Sequence, residues 1–322
     1  MASEFEYNEQ NSLIAKILNL YYNESYNQAQ IAAKLGLSTV KVNRLLKYAR
    51  QKKMVEISIR LPFPNLVELE TRLLEISNIK DLIVTPSLDN NQEGTLAILA
   101  QAAANHLVNQ LRTSDRMCIS GGVTLSKIVE ELKPEKINGI RIYPAVGGVQ
   151  RNPNMDINGI ATQMAQKLGG ESIQFFAPNF AETEEERNTY MGLSHIMKTM
   201  EEAKSARIAL FGIGTLQIDS SFLQYCPIPY RRLAELVEQT KGVGEILGSI
   251  CNQDGCACIP ELDNLRIGIS LHDLLDVPVR IGAACGAVKA PAIAAAIKGN
   301  YLTSLIIDEN AAKQVLNILE IN

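Results

Sequence analysis

The sequence predicts an α/β protein in which a small N-terminal helical unit, residues 1–60, precedes a larger doubly wound α/β domain, residues 61–322. Two short amphipathic helices and a run of cations lie near the N-terminus, and two prolines follow them. From about residue 80 onward, short apolar runs alternate with long helical stretches. This alternation is typical of a parallel sheet that is covered by helices on both faces.

The N-terminal unit is predicted from two amphipathic helices that join at Gly36. Apolar residues recur on one face of each helix, namely Ile31, Ala32 and Leu35 in the first and Val42, Leu45, Leu46 and Ala49 in the second. Gly36 is expected to end the first helix in the left-handed conformation, and Ser38 is expected to cap the second by accepting a backbone hydrogen bond. The pattern therefore predicts a helix-turn-helix.

The charge of this segment indicates a nucleic-acid partner. Residues 11–60 carry nine Lys or Arg against only Glu24 and Glu56, so the segment is +7, whereas the whole chain is −4. A basic surface attracts the phosphate backbone of DNA, and the acidic remainder would be repelled by it. A lone basic helix is as often a solvated face or a protein-binding helix, but the turn from Gly36 to Ser38 favours DNA.

The second helix is expected to enter the major groove, with base contacts at its start and phosphate contacts further along. The residues expected to contact DNA are Gln28, Ser38, Thr39, Lys41, Asn43, Arg44 and Lys47. The alternating run VEISIR, residues 55–60, is expected to form the wing of a winged helix-turn-helix. Pro62 and Pro64 are expected to end this domain.

Composition places limits on the compartment and on cofactors. The 322 residues are 46% hydrophobic with mean hydropathy near zero, enough for a substantial core in each of two domains. No apolar run is long enough to span a membrane and the N-terminus is acidic, so we expect a cytoplasmic protein without a membrane partner. Six scattered cysteines indicate reduced thiols. The cluster Cys251, Cys256 and Cys258 lacks a nearby histidine or fourth ligand, so no metal and no cofactor is expected.

The larger domain begins with a helix predicted over residues 65–79, whose leucine stripe is a candidate surface for self-association. Further helices are predicted over residues 95–112 and 156–170. Strands are predicted at the short apolar runs DLIVT, MCIS, IRIYPAV, SIQFFAP, RIALFGIG, VRIGAAC and LTSLIID.

Ligand binding in such a sheet is expected where strands end and helices begin, because helix N-terminal amides converge there. After MCIS come Gly121 and Gly122, and then a helix starting at about Thr124. After VRIGAAC, Lys289 precedes a helix whose first position suits Pro291. A cation at a helix N-terminus is unfavourable unless an anion lies beside it, so these loops predict an anionic ligand. The alternative for the glycines is a tight turn without a ligand.

Three further features belong to this prediction. Lys127 follows the first glycine loop closely and repeats the cation at a helix N-terminus, and a third loop carries Gly212 and Gly214 at another strand end. Glu245 lies in a glycine-flanked turn and is able to accept hydrogen bonds from sugar hydroxyls, although such an acid is more often a surface residue. The spacing matches neither a P-loop nor GxGxxG, so a nucleotide is not indicated.

In these motifs the chain resembles the SorC family of bacterial transcriptional regulators, which respond to sugars and sugar phosphates. The runs QAQIAAKLGLS, SGGVTL, FGIG, GVGEILG and GAVKAPAIAAAIKGN match the family in order. The resemblance implies a phosphosugar-binding domain related in fold to glucosamine-6-phosphate deaminase and ribose-5-phosphate isomerase, effector-controlled binding to operator DNA, and self-association as a dimer or tetramer. The chain departs from the family at Thr39, where many members have arginine, and this puts the operator sequence in doubt.

By position, the resemblance suggests that glycines and Thr124 bind a phosphate together with Lys289, and that Glu245 binds hydroxyls. With Gly212 and Gly214 of the third loop added to those that the resemblance implies, the predicted effector-binding residues are Gly121, Gly122, Thr124, Asp156, Asn158, Gly212, Gly214, Glu245 and Lys289. The prediction is a DNA-binding regulator of a carbohydrate-utilisation operon, controlled by a phosphorylated sugar. Two alternatives remain. One is a sugar-phosphate isomerase or deaminase that uses Lys289 and Glu245 as a Schiff-base or acid/base pair, and the other is a nucleoid-type DNA binder with a ligand-free domain.

Overall fold

The computed structural model describes residues 8–55, 63–149, 156–218 and 220–321. The chain divides into two compact units, Met1–Pro62 and Phe63–Asn322. The sequence predicts a wing at residues 55–60. Apart from residue 55, this segment lies within residues 56–62, which are outside the described residues.

The N-terminal unit is helical. Its elements are α1 (Glu9–Leu18), a π-helical turn (Asn19–Asn23), α2 (Gln28–Leu35) and α3 (Thr39–Gln51). Residues from all three α-helices form one apolar core, which contains Ile14, Ile17, Ile31, Ala32, Val42, Leu45, Leu46 and Ala49. This core confirms the apolar faces that the sequence predicts for α2 and α3. Burial of these side chains against one another supplies the stability that short helices lack on their own.

The turn between α2 and α3 has the predicted chemistry. Gly36 ends α2 with φ of 65°, a left-handed conformation in which a side chain would be strained. The Ser38 side chain accepts a hydrogen bond from the backbone N–H of Lys41 at 3.2 Å and so caps α3. Asn27 and Gln30 form a reciprocal capping box at the start of α2. The predicted roles of Gly36 at the end of α2 and of Ser38 at the start of α3 are therefore confirmed.

The larger unit alternates strands and helices. The strands are β1 (Asp81–Thr85), β2 (Arg116–Ile119), β3 (Arg141–Pro144), β4 (Glu171–Ser172), β5 (Ile208–Gly212), β6 (Gly242–Ile246), β7 (Ser249–Asn252), β8 (Val279–Ala284) and β9 (Ser304–Asp308). The helices are α4 (Pro64–Glu75), α5 (Gln92–Gln110), α6 (Val123–Glu131), α7 (Ile157–Leu168), α8 (Glu184–Gly192), α9 (Ser194–Lys204), α10 (Tyr230–Thr240), α11 (Pro260–Asp263), α12 (Leu271–Leu275), α13 (Ala290–Lys298) and α14 (Glu309–Ile321).

Seven strands form one parallel sheet in the order β1-β9-β8-β5-β2-β3-β4. From β2 the chain proceeds outward to β3 and β4, and then returns to β5 on the other side of β2 before it moves outward through β8 and β9. With right-handed crossovers, this reversal places helices on both faces of the sheet. The doubly wound α/β fold is confirmed, and the junction between β2 and β5 is its topological switch point. Strands β6 and β7 form a separate antiparallel hairpin.

Two local expectations were wrong. The run SIQFFAP contributes only its first residue, Ser172, to β4, because the side chain of Asn158 bonds to both backbone groups of Phe175 and replaces the ladder there. The leucine stripe of α4 is not available to a partner chain, because Leu66, Leu69 and Leu73 are buried in the core of their own domain. In the described part of the chain, no helix combines the length and apolar character that a membrane crossing requires.

Candidate functional site

A cavity of about 280 Å³ opens in the larger unit at the carboxyl ends of β2, β3, β5 and β8. This is the switch point of the sheet, where open α/β folds bind their ligands. Seven of the nine effector-binding residues that the sequence predicts line it, namely Gly121, Gly122, Thr124, Gly212, Gly214, Glu245 and Lys289. Strands from distant parts of the chain therefore bring the three predicted loops to one place.

The loop after β2 presents backbone amides to the cavity. Gly122 precedes α6 with φ of 109°, and no side chain caps the helix there. The first amides of α6 consequently have no acceptor from a capping side chain, and such amides with the helix dipole favour an anion. Ser120 fixes the loop, because its hydroxyl accepts a hydrogen bond from the Gly212 amide at 3.1 Å and so joins the ends of β2 and β5. Thr124 is buried at the cavity wall.

Lys289 lines the same cavity from the turn between β8 and α13. In the described ranges no hydrogen bond or ion pair joins it to another side chain. Burial lowers the pKa of Lys289, and the nearby Cys285, Glu245 and Asp308 act in the opposite direction. Lys127, the other cation that the sequence places near a helix N-terminus, instead pairs with Glu130 at 2.8 Å. Of these two cations, only Lys289 lines the cavity.

Glu245 is a buried acid on a strand, and not the surface residue in a turn that its flanking glycines suggest. It lies in β6, is 9% exposed, and its backbone exchanges hydrogen bonds with Gly214 at 2.8 and 3.0 Å. One carboxylate oxygen accepts a hydrogen bond from the Gly248 amide. Burial raises the pKa of Glu245 to about 7, although that amide and the charges of Lys289 and Arg266 oppose the rise. The acid is therefore poised between its neutral and charged forms near neutral pH.

Sequence reasoning did not find several polar and aromatic residues of the cavity. Asn179, Ser220, Phe222 and Tyr225 all line it. The Tyr225 ring lies 5.6 Å from that of Phe222 and forms one wall with it. These residues lie in loops without a periodic pattern or a glycine motif, so only their tertiary placement identifies them.

Asp156 and Asn158 do not line this cavity. They border a second one of about 270 Å³, together with Phe176 and Tyr190. Asp156 caps α7 by accepting a hydrogen bond from the Gly159 amide at 2.9 Å, and Asn158 bonds the backbone of the segment after β4. Both side chains therefore have a role in holding the local fold.

The N-terminal unit presents the predicted DNA-contacting residues on the surface of its helix-turn-helix. Six of them are exposed, namely Ser38, Thr39, Lys41, Asn43, Arg44 and Lys47, and Gln28 is partly exposed at the start of α2. Arg50 is also exposed and donates a hydrogen bond to the hydroxyl of Tyr22 at 2.9 Å, which holds it at the far end of α3. No acidic side chain interrupts this face of α3, because the helix contains none.

The chain is similar to known proteins in three comparisons, two with family models and one with a solved structure. The family model described as "Putative sugar-binding domain" matches residues 62–317, which is more than half of the chain. A second model, for region 4 of sigma-70, matches residues 15–52, the part of the N-terminal unit that contains α2 and α3. The full-length sorbitol operon regulator SorC from Klebsiella pneumoniae has a similar fold, with a TM-score of 0.74 and 24% identity over 96% of this chain and 100% of that chain.

Two curated relatives match almost end to end. The deoxyribonucleoside regulator of Bacillus subtilis is 27% identical over 97% of this chain and 99% of its own length. The transcriptional regulator LsrR of Escherichia coli K12 is 29% identical over 94% of both chains.

A helix-turn-helix joined to a sugar-binding α/β domain defines the class of sugar-responsive DNA-binding transcriptional regulators. The chain belongs to the family that carries this sugar-binding domain, the SorC family of regulators. Its relatives over the whole length are named as regulators, so the reading as an isomerase or deaminase is not supported. In the described ranges, no group of three or more His, Cys, Asp or Glu side chains is arranged to hold a metal ion.

Proposed function

We propose that this regulator controls a carbohydrate-utilisation operon and that its effector is a small phosphorylated sugar bound in the cavity at the switch point. Residues 61–322 hold the effector and join copies of the chain, and residues 1–60 bind operator DNA. The observation that carries the proposal is Lys289, which lines the same cavity as the uncapped start of α6 and whose side chain has no hydrogen-bond acceptor among the described residues.

A phosphate at this place relieves two unfavourable features at once. It accepts hydrogen bonds from the first amides of α6 and compensates the charge of Lys289 in a half-buried environment. The glycines at 121 and 122 leave the backbone accessible, and Thr124 adds a hydroxyl donor. Ligand sites in proteins typically span about 300–1,000 Å³, so a cavity of about 280 Å³ suits a monosaccharide phosphate better than a nucleotide.

The sugar is expected to extend from this phosphate toward Glu245. The carboxylate is fixed by the Gly248 amide, and a carboxylate accepts hydrogen bonds from hydroxyl groups. Gly212 and Gly214 bring their backbone to the edge of the cavity between the two ends. In this proposal Asp156 and Asn158 do not contact the effector. They hold the segments beside its site.

On the DNA side, α3 enters the major groove. Thr39, Asn43 and Arg44 read base edges near its start, while Lys47 and Arg50 contact phosphates further along, as the positions on the exposed face suggest. A single helix pair contacts only one half-site, so we propose that the protein binds a two-fold operator as a dimer or tetramer. Because its DNA target is chromosomal, we place its action in the cytoplasm.

A two-stage experiment tests this function. Thermal unfolding of the full chain is first measured with a panel of sugar phosphates, because a ligand that binds only the folded state raises Tm with the logarithm of its concentration. Fluorescence anisotropy then measures binding to a duplex selected from a random pool, with and without the best ligand. We expect one sugar phosphate to raise Tm and to change DNA affinity, while its unphosphorylated sugar does neither. A panel that leaves both Tm and DNA affinity unchanged would contradict the proposal.

A further inference from the structure

Two polar side chains at the wall of the proposed effector cavity each carry an atom that no described residue pairs. The Oδ1 atom of Asn179 and the Oγ atom of Ser220 are buried, with these residues 5% and 8% exposed, and no described residue forms a hydrogen bond with either atom. Buried polar atoms are nearly always paired, because leaving one unpaired costs free energy. Two such atoms at one cavity indicate that the partner is a ligand.

The side chain of Asn179 is presented by a fixed backbone. Its N–H donates to the carbonyl oxygen of Gly148 at 3.0 Å, and its own carbonyl oxygen accepts from the Ile267 amide at 2.9 Å. A side chain on Gly147 would collide with the carbonyl of Pro178, so the two segments pack backbone against backbone. The backbone from which the Asn179 side chain projects is therefore fixed before any ligand arrives.

Asn179 and Glu245 flank the same glycine. A Cβ atom on Gly248 would lie 3.3 Å from Oδ1 of Asn179, and the amide of Gly248 donates to the carboxylate of Glu245. Both side chains present oxygen atoms, and an amide oxygen or an ionised carboxylate accepts hydrogen bonds. A ligand hydroxyl donates to these oxygens and also accepts from Glu245 when the acid is protonated, so hydroxyl groups on neighbouring carbons fit two side chains that border one residue.

Ser220 approaches from the segment that follows β5. Its backbone N–H donates to the carbonyl oxygen of Gln217 at 2.8 Å, which holds this residue at the cavity. Its hydroxyl both donates and accepts, so it is able to bond a ligand hydroxyl or ring oxygen.

We propose that Asn179 and Ser220 are specificity-determining residues for the hydroxyl-bearing end of the effector. Asn179 acts with Glu245 on adjacent hydroxyls, while the phosphate is held elsewhere by α6 and Lys289. The effector is then a small polyhydroxylated monophosphate, and inorganic phosphate alone satisfies only half of the site. This inference rests on the proposed function, since it assigns the second half of the same cavity.

Removal of either side chain should weaken sugar recognition without weakening phosphate recognition. A hydrogen bond between a ligand hydroxyl and a buried polar partner typically changes affinity by roughly tenfold when one partner is lost. Because Oδ1 of Asn179 has no protein partner among the described residues, its removal is not expected to lower the Tm of the ligand-free protein.

Titration calorimetry on the full chain tests the inference with glucose 6-phosphate, fructose 6-phosphate, ribose 5-phosphate, sorbitol 6-phosphate and inorganic phosphate. In the Asn179→Ala and Ser220→Ala variants we expect the tightest-binding sugar phosphate to lose roughly tenfold in affinity, with inorganic phosphate unchanged. The control is Asn317→Ala, an exposed residue of α14 that lines neither cavity.

The specificity role of Asn179 and Ser220 and the phosphate site are overturned by different results. If both variants bind the sugar phosphate as the parent does, while phosphate still binds, the specificity role is wrong and the phosphate site stands. If Asn179→Ala lowers Tm and weakens inorganic phosphate equally, the residue is merely structural and the inference is overturned. If the parent protein binds no member of the panel and no phosphate, the proposed function fails and this inference with it.

Discussion

The backbone amide of Gly248 donates a hydrogen bond to the carboxylate of Glu245, and this bond fixes a buried acid at the wall of the effector cavity. Gly248 lies two residues beyond the end of β6, so the hairpin itself supplies the donor. A second glycine, Gly214, leaves the space beside the carboxylate, because a Cβ atom there would lie 2.5 Å from its other oxygen. The hairpin and the loop after β5 therefore hold the acid from two sides.

The raised pKa of Glu245 predicts a pH-dependent stability. Its pKa in the folded protein is about 7 and its ordinary value is 4.5, so the folded state favours the protonated form. This contribution to stability is fully present below pH 4.5 and is lost as the pH rises to about 7. The shift corresponds to roughly 3–4 kcal/mol.

Glu245→Gln removes this titration. In phosphate-free buffer, the variant should gain stability relative to the parent between pH 5 and pH 8, as measured by urea unfolding at each pH. Glu238→Gln, an exposed residue of α10, is the matched control and should follow the parent at every pH. Parallel curves for Glu245→Gln and the parent would show that the acid is solvated.

Lys289→Ala should harm effector binding more than folding. Its charge lies near a helix N-terminus and has no ion-pair partner among the residues that the structure describes, so the ligand-free protein should lose little when the charge is removed. The loss of one partner of a buried charge-assisted contact typically costs about 2–5 kcal/mol of affinity. Calorimetry with the best sugar phosphate checks this, with Lys298→Ala at the exposed end of the same helix as control. Unchanged affinity in Lys289→Ala would place the phosphate elsewhere.

Thr124→Val should have a smaller effect at the same place. The change keeps the shape of the side chain and removes one hydroxyl donor, so it should cost on the order of 1 kcal/mol of effector affinity. Binding to DNA without effector should be retained, while the effector concentration that alters it rises. If Thr124→Val binds the effector with the same affinity as the parent, Thr124 is not part of the site.

Arg44 and Lys47 should differ in their effect on DNA binding. Arg44→Ala is expected to cost about 1–3 kcal/mol and to relax the preference at one base position, because a guanidinium reads base edges. Lys47→Ala should weaken binding to all sequences similarly and reduce its salt dependence. Anisotropy titrations at several salt concentrations measure both, with the exposed Lys16→Ala on α1 as control. Specific binding that survives both changes would exclude α3 as the recognition helix.

The protein is expected to associate with itself at micromolar concentration. Two-fold operators require at least two copies of the protein. Because the leucine stripe of α4 is buried, we expect the copies to associate through another surface of the larger unit. Sedimentation velocity with and without effector measures the mass of the assembly. A monomer under both conditions would refute the two-fold arrangement.

Much of the fold followed from local patterns. The helix periodicity, Gly36 and Ser38 predicted the helix-turn-helix, because caps and apolar faces act within a few residues. The apolar runs predicted the strands of the parallel sheet, and β1 matches the run DLIVT residue for residue. The run SIQFFAP was misjudged, because the side chain of Asn158 competes for the backbone there and no periodicity reveals that competition.

The sequence by itself determined which loops form the proposed anion-binding end of the site, since glycines and a cation at helix starts have a local electrostatic consequence. Tertiary structure decided the other end. It moved Glu245 from an expected surface turn to a buried strand, kept Asp156 and Asn158 outside the cavity, and brought in Asn179 and Ser220. Burial depends on which distant segments pack together. The raised pKa of Glu245 and the buried atoms of Asn179 and Ser220, which no described residue pairs, all arise from that packing.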